Sequence, residues 1–277
     1  MPELPEVETI RRDLEDKILN KRIDSVEIRK DSAIKKDKER FKSHIKEDSF
    51  SGVDRQGKLL NFKLNNSEYE ILSHLRMTGK LIFDPSGEEV LDFPGKHTGV
   101  IFNFEDNSEL YFDDVRTFGY MQLLKPKKKK EILAEKLGIE PLTEGFTLEN
   151  FKEVLKSRRT NVKNILMKQK AIAGIGNIYA DEICHESGVR PDRNIPELSE
   201  NEIKNIFNKS EQVIKQAIHD RGTTFRDYVD SSGKKGNFAR KLKVYGREGE
   251  QCKDCNEVIK KIKLNGRGTH FCINCQK

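Results

Sequence analysis

The sequence predicts an α+β multidomain protein, on three observations. Short alternating segments follow one leading helix, the periodicity turns helical from about Thr147, and the chain ends in two CxxC pairs. Leu4, Val7, Ile10, Leu14 and Ile18 recur at helical spacing, with Pro5 in the first turn, where its missing N–H costs little. Arg22–Ile28, Leu59–Leu64, Glu70–Leu75, Gly99–Phe104 and Glu109–Phe112 read as strands. Turns such as Asn65-Asn66-Ser67 and Glu105-Asp106-Asn107-Ser108 separate them, giving an antiparallel sandwich or barrel. Lys125-Pro126-Lys127-Lys128-Lys129-Lys130 breaks the pattern and reads as the start of an exposed inter-domain connection. Phe151, Val154 and Leu155 then mark one helix, and Val162, Ile165 and Leu166 another, ended by Ala173-Gly174-Ile175-Gly176. Asn177 is expected to cap a helix over Ile178–Ser187, and Glu200–His219 is the last long helix. Residues 231–236 form a Gly- and Lys-rich loop. Val258–Leu264 and Arg267–Phe271 flank an Asn265-Gly266 hairpin turn. The expected domains are 1–130, a linker at 131–146, a helical module at 147–230, and a cysteine ribbon with its preceding loop at 231–277.

At 277 residues the chain can bury more than one core, and its 35% hydrophobic and 35% charged content is polar but not that of a disordered chain. The net charge of +6 is uneven. Residues 221–277 hold 14 Lys+Arg against 6 Asp+Glu, which leaves residues 1–220 at −2. Such a basic end favours a polyanion partner, because neutralising phosphates releases counterions. A solvated basic surface is the plainer alternative. No run approaches the ~20 apolar residues of a membrane span, and the N-terminus lacks a basic-then-apolar signal. The expectation is a cytoplasmic protein with no membrane partner.

Cys252-x2-Cys255 and Cys272-x2-Cys275 have zinc-ribbon spacing; four thiolates fill a tetrahedral site, making the metal structural. Redox pairs are the alternative, but those usually occur singly. The fifth cysteine, Cys184, reads as a small buried apolar residue. Arg267 sits at the tip of the stapled hairpin, suited to phosphate or simply to solvent. Gly174-Ile175-Gly176-Asn177 at a helix start suits phosphate, or an ordinary helical corner. At the other end, loss of Met1 would expose the secondary amine of Pro2 beside the carboxylate of Glu3. An amine nucleophile with an adjacent acid is the equipment for Schiff-base chemistry at a sugar carbon. Glu6 lies one helical turn from Glu3 and reads as helix-terminal charge or a supporting group. Lys58 is catalytic only if the fold brings it to Pro2. Met77 and Phe118 would by default be core.

Taken together, six ordered motifs resemble the bacterial formamidopyrimidine-DNA glycosylase family over essentially the whole chain. They are residues 2–9 (Pro-Glu-Leu-Pro-Glu-Val-Glu-Thr), His74–Gly79, Asp114–Gly119, Ala173–Ala180, Val244–Arg247 and Gly266–Cys272. The resemblance implies an N-terminal antiparallel β-sandwich with flanking helices, a helix-two-turns-helix module and a zinc ribbon. It implies a protein that binds damaged double-stranded DNA, excises oxidised purines and cleaves the abasic site by β,δ-elimination; nothing in the sequence requires a dimer, so a monomer is expected, in the cytoplasm and at the nucleoid when acting. Carried over residue by residue, Pro2 is the nucleophile, Glu3 the proton donor, and Lys58 and Arg267 the phosphate-handling groups of elimination. Met77, Arg116 and Phe118 fill the gap left by the flipped nucleotide. His97, Arg158, Lys163 and Asn177 contact DNA, and Cys252, Cys255, Cys272 and Cys275 hold one structural zinc ion.

Leu4 favours the purine branch, since the related endonuclease VIII branch, which prefers oxidised pyrimidines, typically has glycine there. A non-enzymatic zinc-ribbon DNA-binding protein is the rival from another class, against which the Pro2-Glu3 start argues. Lys168, Asn256, Ile273 and Gly99 depart from the family pattern and bear on local loop shape.

Overall fold

The computed structural model describes residues 1–85, 93–224 and 228–277. They form two compact units. One consists of Met1–Leu133 with Asp220–Asn237, the other of Ala134–His219 with Phe238–Lys277.

The first unit opens with α1 (Leu4–Ile18), whose N-terminus is closed locally: the Glu3 N–H donates to Glu6 Oε2 at 2.8 Å, the reach-back half of a capping box. Its stripe of Val7, Ile10, Leu14 and Ile18 is buried in the core. Then follow β1 (Ile23–Ile28), α2 (Lys38–Ile45), β2 (Phe50–Gln56), β3 (Leu59–Leu64), β4 (Glu70–His74), β5 (Gly79–Asp84), β6 (Thr98–Phe104), β7 (Glu109–Asp114) and β8 (Tyr120–Leu124). They make two four-stranded antiparallel sheets, ordered β1-β6-β7-β5 and β2-β3-β4-β8. Phe102 and Phe112 of the first sheet share one core with Phe50, Phe62 and Ile71 of the second. Phe50 meets Phe102 edge-on at 5.8 Å. Of sandwich and barrel, the molecule is a sandwich.

The lysine run 125–130 is largely exposed and ends close to the boundary between the two units, and it is helical. It opens α3 (Pro126–Lys136), with Pro126 at the first position, where its fixed φ suits a helix. Asp220–Asn237, divided in the sequence reading between the helical module and the ribbon loop, belongs to the first unit. Its polar groups find their partners there. The Thr223 N–H donates to Glu6 Oε1 at 2.7 Å, and the Phe83 N–H donates to the Ser231 carbonyl at 2.9 Å. Arg221 Nη2 donates to Asp13 at 2.6 Å. Gly222 has φ +78°, and a Cβ there would come within 2.8 Å of Glu6 Oε1, so glycine is required.

The second unit contains α4 (Leu148–Leu155), α5 (Val162–Met167), α6 (Asn177–Glu186), α7 (Glu200–His219) and the hairpin β9 (Lys260–Leu264) and β10 (Arg267–Phe271). Thr147 and Asn161 cap α4 and α5 by accepting the N–H groups of Asn150 and Asn164. The cap of α6 is Gly176, not Asn177; Asn177 is the first helical residue, and its amide is engaged elsewhere. Cys184 is fully buried, which pushes its thiol pKa up. Asn265 and Gly266 both take positive φ (48° and 78°), as a two-residue type I′ hairpin turn needs. Among the described residues no helix is long and apolar enough to cross a membrane.

Candidate active site and nucleic-acid interface

Strand register gathers the first unit's candidates at one end of the sandwich. In one sheet Leu59 pairs with His74, and His74 with Tyr120. In the other, Asp114 pairs with Gly79, and Asp113 with Thr98. The Gly57-Lys58 turn, the 75–78 loop, His97 and the 115–119 loop therefore share that end. The His97 carbonyl accepts the Asp114 N–H at 3.1 Å.

Pro2 and Glu3 are buried at the start of α1. The Glu6 carboxylate spans the Glu3 and Thr223 N–H groups, so the chain's first residues are fixed by a segment near residue 223. Two residues further along, Glu8 accepts from Arg11, Arg12 and Arg55. Burial would raise its pKa, but these guanidinium bonds outweigh it and hold the carboxyl below its usual range. The guanidinium of Arg55 reaches both Glu8 Oε2 and the Gly57 carbonyl, each at 2.9 Å. That fork ties the Lys58 turn to α1. Gly57, with φ +58°, supplies the bend, and Lys58 itself is buried.

The 75–78 and 115–119 loops are braced by one carboxylate. Asp114 accepts the N–H groups of Arg116 (3.1 Å) and Gly119 (2.6 Å) and the hydroxyl of Thr78. Arg76 and Thr117 take positive φ, which turns each loop sharply. The result displays three side chains together. Arg116 lies 4.9 Å from the Phe118 ring centroid and 2.9 Å from Met77 Sδ. Phe118 is 56% exposed and Met77 41%. Neither is core, and large apolar groups held out in water beside a cation suit a ligand with flat apolar faces and anionic groups.

In the second unit the hairpin tip is held from below. The Lys163 ammonium is surrounded by the Gly268 carbonyl (3.0 Å), Thr269 Oγ1 (2.8 Å) and Asp181 Oδ1 (2.7 Å). Asp181 Oδ2 also accepts the His270 N–H at 2.9 Å. Asn177 Nδ2 donates to the same Gly268 carbonyl at 3.2 Å. Lys163 is 2% exposed: its ammonium faces buried oxygens, it supports the tip bearing Arg267, and it lines the same cleft as Arg267. Arg267 is exposed and lines a cleft of about 380 Å³ with Asn161, Asn164, Lys168 and Asn265. Arg158 is exposed beyond α4. Asp181 and His270 were not singled out from sequence. The two lie 89 residues apart along the chain, and one sequence carries no signal for such a pairing.

The four cysteine sulfurs lie within 4.8 Å of one another, with Cys252 to Cys275 at 3.8 Å and Cys255 to Cys272 at 3.4 Å. Sulfurs ~2.3 Å from a tetrahedral zinc are about 3.8 Å apart, so the donor set fits. The Asp254 N–H points at Cys252 Sγ (3.5 Å), and the Gln276 side chain accepts the Cys272 N–H (2.8 Å), orienting the knuckles.

Comparison with known proteins agrees with this arrangement. The family model of the formamidopyrimidine-DNA glycosylase N-terminal domain matches residues 1–121, that of its H2TH domain residues 137–228, and a zinc finger found in FPG and IleRS residues 249–277. The formamidopyrimidine-DNA glycosylase of Listeria monocytogenes is 47% identical over 279 residues, with 100% of each chain covered. The chain belongs to the formamidopyrimidine-DNA glycosylase family. The formamidopyrimidine-DNA glycosylase of Carboxydothermus hydrogenoformans is 43% identical, again with 100% of each chain covered. A mutant of the Lactococcus lactis FPG, solved with a Fapy-dG containing DNA, superposes with a TM-score of 0.91 at 34% identity over 100% of both chains. The L. lactis Fpg complex with an abasic site containing DNA gives 0.91 at 34% identity over 99% of both. As a formamidopyrimidine-DNA glycosylase family member the chain is an enzyme, a DNA glycosylase and abasic-site lyase acting on damaged DNA, and its four cysteines hold one zinc ion.

Proposed function

We propose that this enzyme excises oxidised purines, 8-oxoguanine and formamidopyrimidines, from duplex DNA and cleaves the resulting abasic site through an imine on Pro2. The observation that carries the reading is the buried Pro2-Glu3 start, with the Glu3 backbone fixed by Glu6. Removal of Met1 frees the Pro2 amine. Its lone pair attacks C1′ of the flipped nucleotide as the bond from C1′ to the base breaks, and the base leaves with that electron pair and takes up a proton. Glu3 protonates the sugar ring oxygen as the ring opens, giving the iminium. The iminium acidifies the C2′ hydrogen; loss of that proton expels the 3′ phosphate, and a further proton loss from C4′ expels the 5′ phosphate. Water then releases Pro2.

Lys58 and Arg267 are assigned to the leaving phosphates, and His97, Arg158 and Asn177 to the DNA backbone. Met77, Arg116 and Phe118 are assigned to the gap, with Arg116 bonding the orphaned base, expected to be cytosine. Their shared exposure on braced loops supports that role. The enzyme is read as a monomer working at the nucleoid in the cytoplasm.

Borohydride trapping on a duplex with 8-oxoguanine opposite cytosine tests this. Protein lacking Met1 is expected to form a covalent adduct that disappears when its terminal amine is acylated. A trapped adduct that survives acylation would overturn the nucleophile. Faster excision of thymine glycol than of 8-oxoguanine would overturn the substrate class in favour of oxidised pyrimidines.

A further inference from the structure

One basic feature of the first unit takes no part in this chemistry. The lysine run at 125–130 opens α3, and no acidic residue lies in that helix's first turn. Lysines at a helix N-terminus oppose the macrodipole and cost the helix stability, so their positive potential adds to that of the helix end. The run borders a groove of about 310 Å³ rimmed by Lys35, Lys36, Arg40, Lys125 and Lys128, with Asp37 as the one acidic residue in its lining among the described residues. The floor is different in kind. Leu123, Leu124 and Tyr69 line it, and Leu123 packs on the main core.

The groove runs along a sheet edge, since β8 is the outermost strand of its sheet. At the start of β8 the outward Met121 carbonyl accepts the Lys35 N–H at 2.8 Å. Strand geometry turns the backbone of Leu123, two residues on, to the same side. We propose that this groove docks an extended acidic peptide segment of another protein, one that carries bulky apolar side chains. Its carboxylates would meet the lysine rim, its apolar side chains the Leu123–Leu124 floor, and its backbone the edge at Leu123. Charge complementarity selects the acidic class. Lys125 and Lys128 pair with the exposed carboxylates Glu68 and Glu131, pairs that an incoming carboxylate exchanges at little cost. The aromatic floor argues against single-stranded nucleic acid. Around Tyr69, Arg40 sits 4.7 Å and Lys125 5.4 Å from the ring centroid, and His44 meets it edge-on at 4.7 Å, leaving little face for a stacked base.

The test uses the full-length zinc-loaded enzyme and a fluorescein-labelled polyaspartate peptide carrying one leucine and one phenylalanine, followed by anisotropy. Binding is expected, weakened at least about tenfold in the double variant Lys36→Glu/Lys125→Glu, with excision of 8-oxoguanine unchanged. Slower amide exchange at Leu123 in the saturated complex is also expected. Three results would each overturn the proposal: equal binding by polyaspartate lacking the apolar residues, binding untouched by the double variant, or tighter binding of oligothymidylate that the same variant abolishes.

Discussion

In the first unit a carboxylate, Asp114, lies beneath the 75–78 and 115–119 loops and accepts their N–H and hydroxyl groups. In the second unit an ammonium, Lys163, lies beneath the hairpin tip and donates to its carbonyl and hydroxyl oxygens. Both arrangements satisfy the polar groups of a sharply turned segment with one charged side chain. They differ in what stands behind the charge. The groups that donate to Asp114, itself buried, are neutral. Lys163 is closed in with Asp181, which is fully buried, and water cannot substitute for either. One brace rests on neutral donors, the other on a buried ion pair.

The largest break in this comparison is removal of the metal. Cys272→Ser should lose zinc, and with it a metal contribution on the order of 10 kcal/mol. Metal analysis should find no zinc, and amide exchange should show an unprotected β9–β10 hairpin beside an unchanged sandwich. Intact hairpin protection without zinc would overturn the ribbon's dependence on it.

Lys163→Met comes next. It strands the Asp181 charge and should destabilise the second unit by about 3–5 kcal/mol, measured by denaturant unfolding. Restoring stability with the added change Asp181→Leu would show that the stranded charge, not lost packing, is responsible.

Glu8 sharpens the comparison, being a carboxylate held by guanidinium groups rather than by N–H groups. Its pKa is depressed in the folded state, so its stabilisation is present above the ordinary value of 4.5 and is lost as pH falls through the lower folded value. Thermal unfolding of wild type should weaken more steeply below about pH 4.5 than that of Glu8→Gln. Allowing for solvent screening, the difference should be about 1 kcal/mol, or roughly 2–4 °C. Parallel acid limbs would show that the cluster is not linked to folding.

Phe118→Ala should do least to the fold. The ring is mostly exposed, so stability should change by no more than about 0.5 kcal/mol. Affinity for lesion-containing duplex should nevertheless fall, and a gel-shift titration showing no loss would remove Phe118 from the interface.

Legibility in the sequence followed periodicity and local chemistry. The helix Glu200–His219 and the hairpin turn Asn265-Gly266 were readable because each carries its own signal, a 3.6-residue stripe and a pair suited to positive φ. β2 was not, because Ser51-Gly52 and Asp54-Arg55 interrupt its apolar alternation. The short helix α2 buries only Phe41 and Ile45, too few to mark a period. The cysteine ligands were legible from spacing, and the grouping of Met77, Arg116 and Phe118 could be expected only from whole motifs. The brace at Asp114 and the support at Lys163 could not be read, since a buried charge is recognised by the groups that surround it and those arrive from distant segments.

The Glu6–Thr223 bond has a consequence for biosynthesis. The residues that begin the chain reach their final setting only when a segment made more than two hundred residues later joins them, since Asp220–Asn237 completes the first unit. On the ribosome, the N-terminal sandwich must wait unfinished through synthesis of the whole helical module. A nascent chain halted before residue 220 would have both sheets yet leave Glu6 without its Thr223 donor. The Glu6–Thr223 bond thus forms only in a chain already long enough to have made the helices of the second unit.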